Sequence, residues 1–182
     1  MTIAYIGVWH SFFTLEGNMK FMFDDGGRAA AGYKGNAGDC GARALAIATG
    51  IPYQQAYEAI NEIAKTERKG KRKSRGPSNA RTGVYSATMR RLLASMGWNW
   101  TPTMHIGSGC KVHLHDGELP MGRLLVRLSK HYTTVIDGVI HDTFDPQRET
   151  YCVQPGSNGS SADADSKHWI ERRCVYGYWS KA

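Results

Sequence analysis

The sequence lacks any run of about 18 apolar residues, so we expect no membrane-spanning helix and no membrane partner. Its first ten residues have neither a basic start nor a long apolar middle, and we expect no secretory signal. Cysteine is scarce and irregularly spaced, which does not suggest an oxidising compartment. We therefore expect reduced thiols in a cytoplasmic protein. The four cysteines are Cys40, Cys110, Cys152 and Cys174.

The net charge of +7 comes from a single stretch of the chain. Between Lys65 and Arg81 stand eight basic residues and one acidic residue, while the other 15 basic and 15 acidic residues cancel. The stretch has no aromatic residue to stack on a base, and we interpret 65–81 as a basic mobile loop. Through counterion release it could still engage nucleic acid or an acidic partner. The cations that would do so are Lys69, Lys71, Arg72, Lys73 and Arg75.

The clearest local pattern is a cysteine at the start of a short apolar helix. Asp39 can cap this helix, small and aliphatic residues continue it for about three turns, and Gly50 ends it. Cys40 then lies in the first turn, where unpaired N–H groups and the helix dipole favour the thiolate. The pattern indicates either an activated nucleophile or a small buried hydrophobe, and a partner base would decide between them.

The remaining elements predict one α+β domain over residues 1–182. Helices of the first half pack on an antiparallel sheet from the second half, with a cleft between them. Residues 1–18 have no clean period, and we interpret them as an N-terminal extension, either an appended strand or an ordered arm. The predicted elements of the first half are a strand from Lys20 to Phe23 and helices over 40–49, 53–64 and about 84–96.

A hairpin in the second half supplies the partner base. Asp137-Gly138 is a strong two-residue turn, and the register it sets places Asp142 on the same face as His131, within reach of its imidazole. Asp145 falls on the other face unless a bulge intervenes. A histidine with an orienting carboxylate, following the cysteine in chain order, is what thiol catalysis needs. The sequence therefore predicts Cys40 as nucleophile, His131 as base and Asp142 as the carboxylate that holds it.

One further cluster resembles a metal site. Cys110, His113 and His115 offer a soft ligand and two imidazoles on one face of a strand. A fourth ligand is not visible, and histidines alternating with aliphatic residues are equally typical of a half-exposed strand. We expect no metal and no cofactor.

The order of helix-borne cysteine, strand-borne histidine and aspartate resembles that of papain-like cysteine peptidases. The motifs most similar to the bacteriocin-processing peptidases that cut after double glycine are Asp39-Cys40-Gly41 and the run from His131-Tyr132 to Asp145-Pro146. The resemblance implies a papain-like fold, with N-terminal helices packed on a C-terminal antiparallel sheet. It also implies a hydrolase or acyl transferase acting on a peptide, isopeptide or other amide bond of a peptide or protein substrate.

Two positions depart from the pattern of those peptidases. They usually have a glutamine six residues before the cysteine to complete the oxyanion hole, and here that position is Lys34, with Asn36 nearby. The Asp-Pro of the family points to Asp145 as the third member, whereas the hairpin register points to Asp142.

Over most of the chain the sequence also resembles a group of proteins from tailed phages and bacterial genomes that has no assigned function. This resemblance implies the cytoplasm of a bacterium or phage-infected cell and no particular substrate. The motifs are Asp24-Asp25-Gly26-Gly27-Arg28, Thr82-Gly83-Val84-Tyr85, Gly122-Arg123, Val135-Ile136-Asp137-Gly138 and Val175-Tyr176-Gly177-Tyr178-Trp179. The alternative to an enzyme is a non-catalytic papain-like protein that binds nucleic acid or an acidic host protein through the basic loop.

Overall fold

A computed structural model describes residues 17–67, 76–157, 159 and 167–181. The basic residues from Lys69 to Arg75, and most of the predicted N-terminal extension, lie outside the described residues. The described helices are α1 (Cys40–Thr49), α2 (Tyr53–Ala64) and α3 (Ser86–Ser95). The described strands are β1 (Lys20–Phe23), β2 (Asn99–Pro102), β3 (Arg123–Leu128), β4 (His131–Ile136), β5 (Val139–Asp142), β6 (Glu149–Gln154), β7 (Lys167–Arg172) and β8 (Val175–Ser180).

The boundaries of α1 match the prediction, but its capping does not. Gly50 ends the helix in the left-handed region with φ 73°, and its N–H donates to the Ala46 carbonyl. Asp39 makes no side-chain cap, contrary to expectation. Its backbone carbonyl instead accepts the N–H groups of Ala42 and Arg43, which leaves the carboxylate free to bind elsewhere.

The main sheet has six strands in the order β1-β5-β4-β3-β8-β2, and all its pairings are antiparallel except that of β1 with β5. The predicted sheet therefore gains two edge strands, β1 from the first half of the chain and β2 from the segment that follows α3. The predicted register around Asp137-Gly138 is present, with Thr134 opposite His141. Positive φ at both turn residues, 48° and 78°, makes this the tight turn that suits twisted strands.

Each face of this sheet packs its own apolar cluster, because successive strand residues point to opposite faces. Leu125, Tyr132 and Trp179 join α1, α2 and α3 in one cluster. Leu124 and Val126 belong to a second cluster on the other face. The packing of α1 against β4 brings the first turn of the helix to the first residue of the strand.

The ends of the predicted basic loop are packed. The Glu67 carboxylate accepts hydrogen bonds from the backbone N–H of Ser78, at 3.0 Å, and from the Thr88 hydroxyl. These bonds help hold the pKa of Glu67 below its usual value, although burial alone would raise it. Ser78 and Ala80 are buried, so the ordered scaffold extends further into 65–81 than the sequence predicted.

The prediction of four reduced thiols is wrong for two of them. Cys110 and Cys174 form a disulfide with their Cα atoms 5.9 Å apart, while Cys40 and Cys152 are free. The disulfide fastens the segment before β3 to the residue preceding β8. Because such bonds are typical of oxidising compartments, the prediction of a cytoplasmic location loses part of its support.

The disulfide also removes the soft ligand of the metal-like cluster. His113 places Nδ1 3.1 Å from a Glu118 carboxylate oxygen, and within the described ranges no group of three or more potential ligands could hold a metal ion. Nor does the described part of the chain contain a helix whose length and apolar character would let it cross a bilayer.

Candidate active site

The structure brings together the three residues predicted to carry the chemistry. Cys40 begins α1, His131 begins β4, and Asp142 ends β5, next to β4 in the sheet. The His131 Nε2 atom lies 2.7 Å from Asp142 Oδ2. The His131 side chain is close enough to the Cys40 thiol to act on it both by hydrogen bonding and by charge. Since Asp142 occupies Nε2, the nitrogen left for the thiol is Nδ1.

The charges of this pair favour a thiolate next to an imidazolium. Burial alone would raise the pKa of Cys40, but the hydrogen bond and positive charge of His131 bring it below the ordinary thiol value. The Tyr132 backbone N–H and the nearby Arg43 guanidinium lower the Cys40 pKa further. Burial opposes the protonation of His131, yet Asp142 and Cys40 raise the pKa of His131 to about 9. Both shifts favour the thiolate–imidazolium ion pair over the neutral thiol and imidazole.

The Asp142 carboxylate is positioned to hold the His131 imidazole in one orientation. The carboxylate is buried, and while Oδ2 faces His131, Oδ1 accepts the Thr143 backbone N–H at 2.7 Å. Phe144 packs its ring 5.0 Å from the imidazole centroid and shields the pair from one side. Asp145, the alternative from the family motif, is exposed and accepts the Gln147 backbone N–H. The register, not the Asp-Pro motif, locates the carboxylate beside His131.

The pair opens into a cleft of about 900 Å³ between the helices and the sheet. One wall comes from the segment before α1 and from the segment that leads into α3, and the opposite wall from the β3–β4 hairpin and Phe144. The side chains and backbone that line the cleft belong to Ala37, Gly38, Cys40, Arg43, Gly76, Pro77, Thr82, Gly83, Val84, Tyr85, Ser86, Arg127, Leu128, Lys130, His131, Tyr132 and Phe144. The volume and openness of such a groove suit an extended chain better than a small enclosed ligand.

A buried carboxylate fixes the backbone on which Cys40 sits. Asp39 Oδ2 accepts hydrogen bonds from Arg28 Nε at 2.6 Å and from the Tyr53 hydroxyl at 2.7 Å, and Arg43 Nη1 lies 3.4 Å from Oδ1. Burial and the carboxylate raise the pKa of Tyr53, so its hydroxyl stays a donor. Asp39 thus connects α2 and the 24–28 turn to the residue preceding the nucleophile.

Arg28 extends this anchor to the loop in front of the cysteine. Its two terminal nitrogens donate to the backbone carbonyls of Tyr33, Lys34 and Gly35, at 2.8 to 3.3 Å. Hydrogen bonding to Asp39 and its charge hold the pKa of Arg28 above the usual value, although burial opposes this. One guanidinium therefore sets the path of the chain that enters the cleft at Ala37 and Gly38.

The two residues predicted to complete an oxyanion hole, Lys34 and Asn36, do not line the cleft. Lys34 and Asn36 are exposed, and the cleft-lining residues of the described chain include neither. Their contribution to an oxyanion hole stays a prediction. The first N–H groups of a helix have no intrahelical acceptor. At the start of α1, the N–H groups of Ala42 and Arg43 donate to the Asp39 carbonyl, which leaves that of Cys40, next to the thiol, as the better candidate donor to an oxyanion.

Several residues at this site escaped the sequence reasoning. Arg43 could have been found, because it lies three residues after Cys40 and so on the same side of α1. Arg28 and Tyr53 gave no signal, since their partnership with Asp39 depends on how the turn, α1 and α2 pack. Arg127 and Lys130 look like ordinary strand and turn cations until the cleft places them near His131.

Comparison of the chain with protein-family models, with curated proteins and with solved structures finds no match. The likeness to papain-like peptidases therefore remains a prediction from motifs and from chain order. Any function for this chain depends on the geometry of the site itself.

Proposed function

We propose that this protein is a cysteine-dependent hydrolase or acyl transferase with a papain-like arrangement, acting on a peptide, isopeptide or other amide bond. The observation that carries the proposal is the Cys40–His131–Asp142 array at the head of an open cleft, in which His131 and Asp142 are buried and Cys40 is half-buried. A cysteine with a lowered pKa, hydrogen-bonded to an imidazole that a carboxylate orients, is an activated nucleophile.

The first half of the reaction forms an acyl-enzyme. The Cys40 sulfur attacks the carbonyl carbon, and the carbonyl electron pair moves to oxygen to give a tetrahedral oxyanion. The oxyanion collapses, the C–N bond breaks, and the leaving nitrogen takes the proton from the His131 imidazolium. Asp142 keeps the imidazole in the orientation that delivers this proton.

The second half releases the acyl group. His131, now neutral, removes a proton from water or from an acceptor amine, which attacks the thioester carbonyl. Collapse of this second intermediate returns the electron pair to sulfur, and the thiolate–imidazolium pair is restored. Water as acceptor gives hydrolysis, and an amine gives acyl transfer. The Cys40 backbone N–H at the start of α1 is suited to stabilise both oxyanions, with the helix dipole behind it.

The test measures the alkylation rate of Cys40 by iodoacetamide as a function of pH, with peptide mass spectrometry to read each cysteine separately. Cys152 is the second free thiol and serves as the internal reference. We expect Cys40 to react at a pH well below the ordinary thiol pKa of about 8.5. His131→Ala should move the inflection of the Cys40 profile upward, because the charge that stabilises the thiolate is gone.

A second measurement addresses turnover. An activated p-nitrophenyl ester should acylate the wild-type protein in a burst, detectable by intact mass, and Cys40→Ala and His131→Ala should abolish it. An identical Cys40 profile in wild type and His131→Ala, or acylation that persists without Cys40, would exclude the proposed chemistry. The non-catalytic alternative predicts that the protein binds nucleic acid or an acidic host protein, and that Cys40→Ala leaves this affinity unchanged.

A further inference from the structure

The cleft next to the reacting pair is lined by cations and by no carboxylate. Arg43, Arg127 and Lys130 are among its lining residues, and its described lining contains neither aspartate nor glutamate. The whole chain has 16 acidic residues, so the exclusion of carboxylates from this surface gives it a positive potential. An anionic ligand would be attracted to it.

Within the described ranges no carboxylate neutralises Arg127 or Lys130. Neither side chain has an aspartate or glutamate oxygen of those residues within 4.0 Å. Arg43 is partly compensated by Asp39, yet its Nε is buried without a hydrogen-bond partner in the described structure. The cleft thus holds donors that its own residues leave unused.

The positions of these cations follow from the β3–β4 hairpin. Lys130 lies in the turn directly before His131, with φ 56°, and Arg127 pairs across the ladder with Tyr132. Arg127 stacks its guanidinium 5.4 Å above the Tyr176 ring centroid. Stacking holds the guanidinium plane and leaves the N–H groups at its edge free for a carboxylate.

The cationic surface continues beyond Arg127. This residue also lines a neighbouring pocket of about 560 Å³, together with Arg90, Trp100 and Tyr176. Arg90 lies 5.2 Å above the Trp100 ring, and this pocket too has no carboxylate in its described lining. A bound chain that runs from Cys40 past Lys130 and Arg127 therefore reaches a second surface, which also has cations and aromatic rings.

We propose that the ligand of this cleft is an acidic peptide segment, whose carboxylate side chains bind Lys130 and Arg127 and whose continuation enters the Arg90–Trp100 pocket. A peptide is favoured over nucleic acid because the cations stand beside a nucleophile suited to amide chemistry. The inference rests on the proposed function for that choice, but binding to the cleft does not require turnover.

The test measures binding of fluorescein-labelled short peptides to the Cys40→Ala protein by anisotropy. One peptide mixture alternates glutamate with small and aromatic residues, and its counterpart has glutamine in place of glutamate. We expect the glutamate mixture to bind about tenfold more tightly, the effect of one or two charge-assisted hydrogen bonds. Arg127→Gln and Lys130→Gln should each remove about three- to tenfold of that affinity.

Matched controls separate position from net charge. Arg148→Gln and Lys167→Gln each remove one exposed cation that lines neither pocket, and both should bind the glutamate mixture as Cys40→Ala alone does. The charges of residues 68–75 act equally in every variant. Lys130 is exposed in a turn, so Lys130→Gln keeps the test decisive even if Arg127→Gln unfolds.

Equal binding of the two mixtures would overturn the inference, as would cleft variants that lose no more affinity than their controls. Single-stranded DNA that binds more tightly than the glutamate mixture, and with a greater loss on Arg127→Gln, would replace the peptide by nucleic acid. If the protein binds the acidic peptides but the wild type is never acylated in the ester assay, the proposed function alone is refuted. Acylation and amide cleavage without any charge preference would refute the acidic ligand alone.

Discussion

Replacement of Asp39 by asparagine should reveal how strongly the nucleophile's backbone is anchored. The side chain keeps its shape, but the buried charge that faces Arg28 and Arg43 is removed. The substitution also replaces one acceptor oxygen with an N–H₂ group, which only donates, so either the two bonds accepted by Oδ2 or the contact of Arg43 with Oδ1 is lost. Two partly buried guanidinium groups are then left without a counter-charge.

The magnitude follows from these contacts. Asp39 is 1% exposed and Arg28 and Arg43 are each 14% exposed, so solvent compensates the lost charge only in part. Breaking a buried ion pair costs about 3–5 kcal/mol, and we expect Asp39→Asn to lower the free energy of unfolding by about 3 kcal/mol. Tyr53→Phe, which removes one hydrogen bond to the charged oxygen, should cost about 1.5 kcal/mol.

Urea unfolding followed by tryptophan fluorescence measures both changes. Asp116→Asn is the control, because Asp116 is exposed, and its effect should stay within about 0.5 kcal/mol. A double-mutant cycle of Asp39→Asn with Arg28→Gln should show strong coupling, since each change removes the same contact. A loss below about 1 kcal/mol in Asp39→Asn would refute the reasoning that the buried charge organises this region.

Three further predictions concern the triad, the disulfide and the strand face behind the second pocket. Asp142→Asn should lower turnover by about 10²-fold or more while the fold is kept, and an unchanged rate in the ester assay would remove the carboxylate from the mechanism. Cys110 and Cys174 are 64 residues apart, and the chain-entropy relation for a loop of that length gives a stabilisation of about 4 kcal/mol by the disulfide. Replacing both by serine should therefore lower the urea midpoint markedly, and an unchanged midpoint would contradict this. Gly177→Ala would place Cβ 2.4 Å from the Trp100 ring and 2.6 Å from the Thr101 backbone oxygen, at φ 150°, and should cost about 2–3 kcal/mol. A variant with unchanged stability would contradict this close approach of β8 to β2.

Local patterns were sufficient for much of the scaffold. The helices of residues 40–49 and 53–64 follow from apolar spacing and from the breakers at Gly50 and Pro52, and both have the predicted bounds. The helix predicted over about 84–96 is shorter, because Tyr85 keeps an extended backbone with ψ 144° and Met96 departs from helical geometry. Helix ends depend on such single residues and are the least determined by periodicity.

The sequence alone also determined the contact between His131 and Asp142. A two-residue turn fixes which strand residues face one another, and so the register could be counted outward from Asp137-Gly138. The position of Cys40 in the first turn of α1 could also be predicted from neighbouring residues alone. What the sequence could not determine was that α1 packs on β4, which brings the thiol to the imidazole.

Only the tertiary structure decided the rest of the site. The pairing of Cys110 with Cys174 joins residues 64 positions apart, and no local pattern selects it from the other pairings of four cysteines. The binding of Arg28 to Asp39, and the exclusion of carboxylates around Arg127, depend on which surfaces the packed helices and sheet turn toward one another. Sequence periodicity fixes which way a side chain points within its own element, but charge and hydrogen-bond partners are set by neighbours that are distant in the chain.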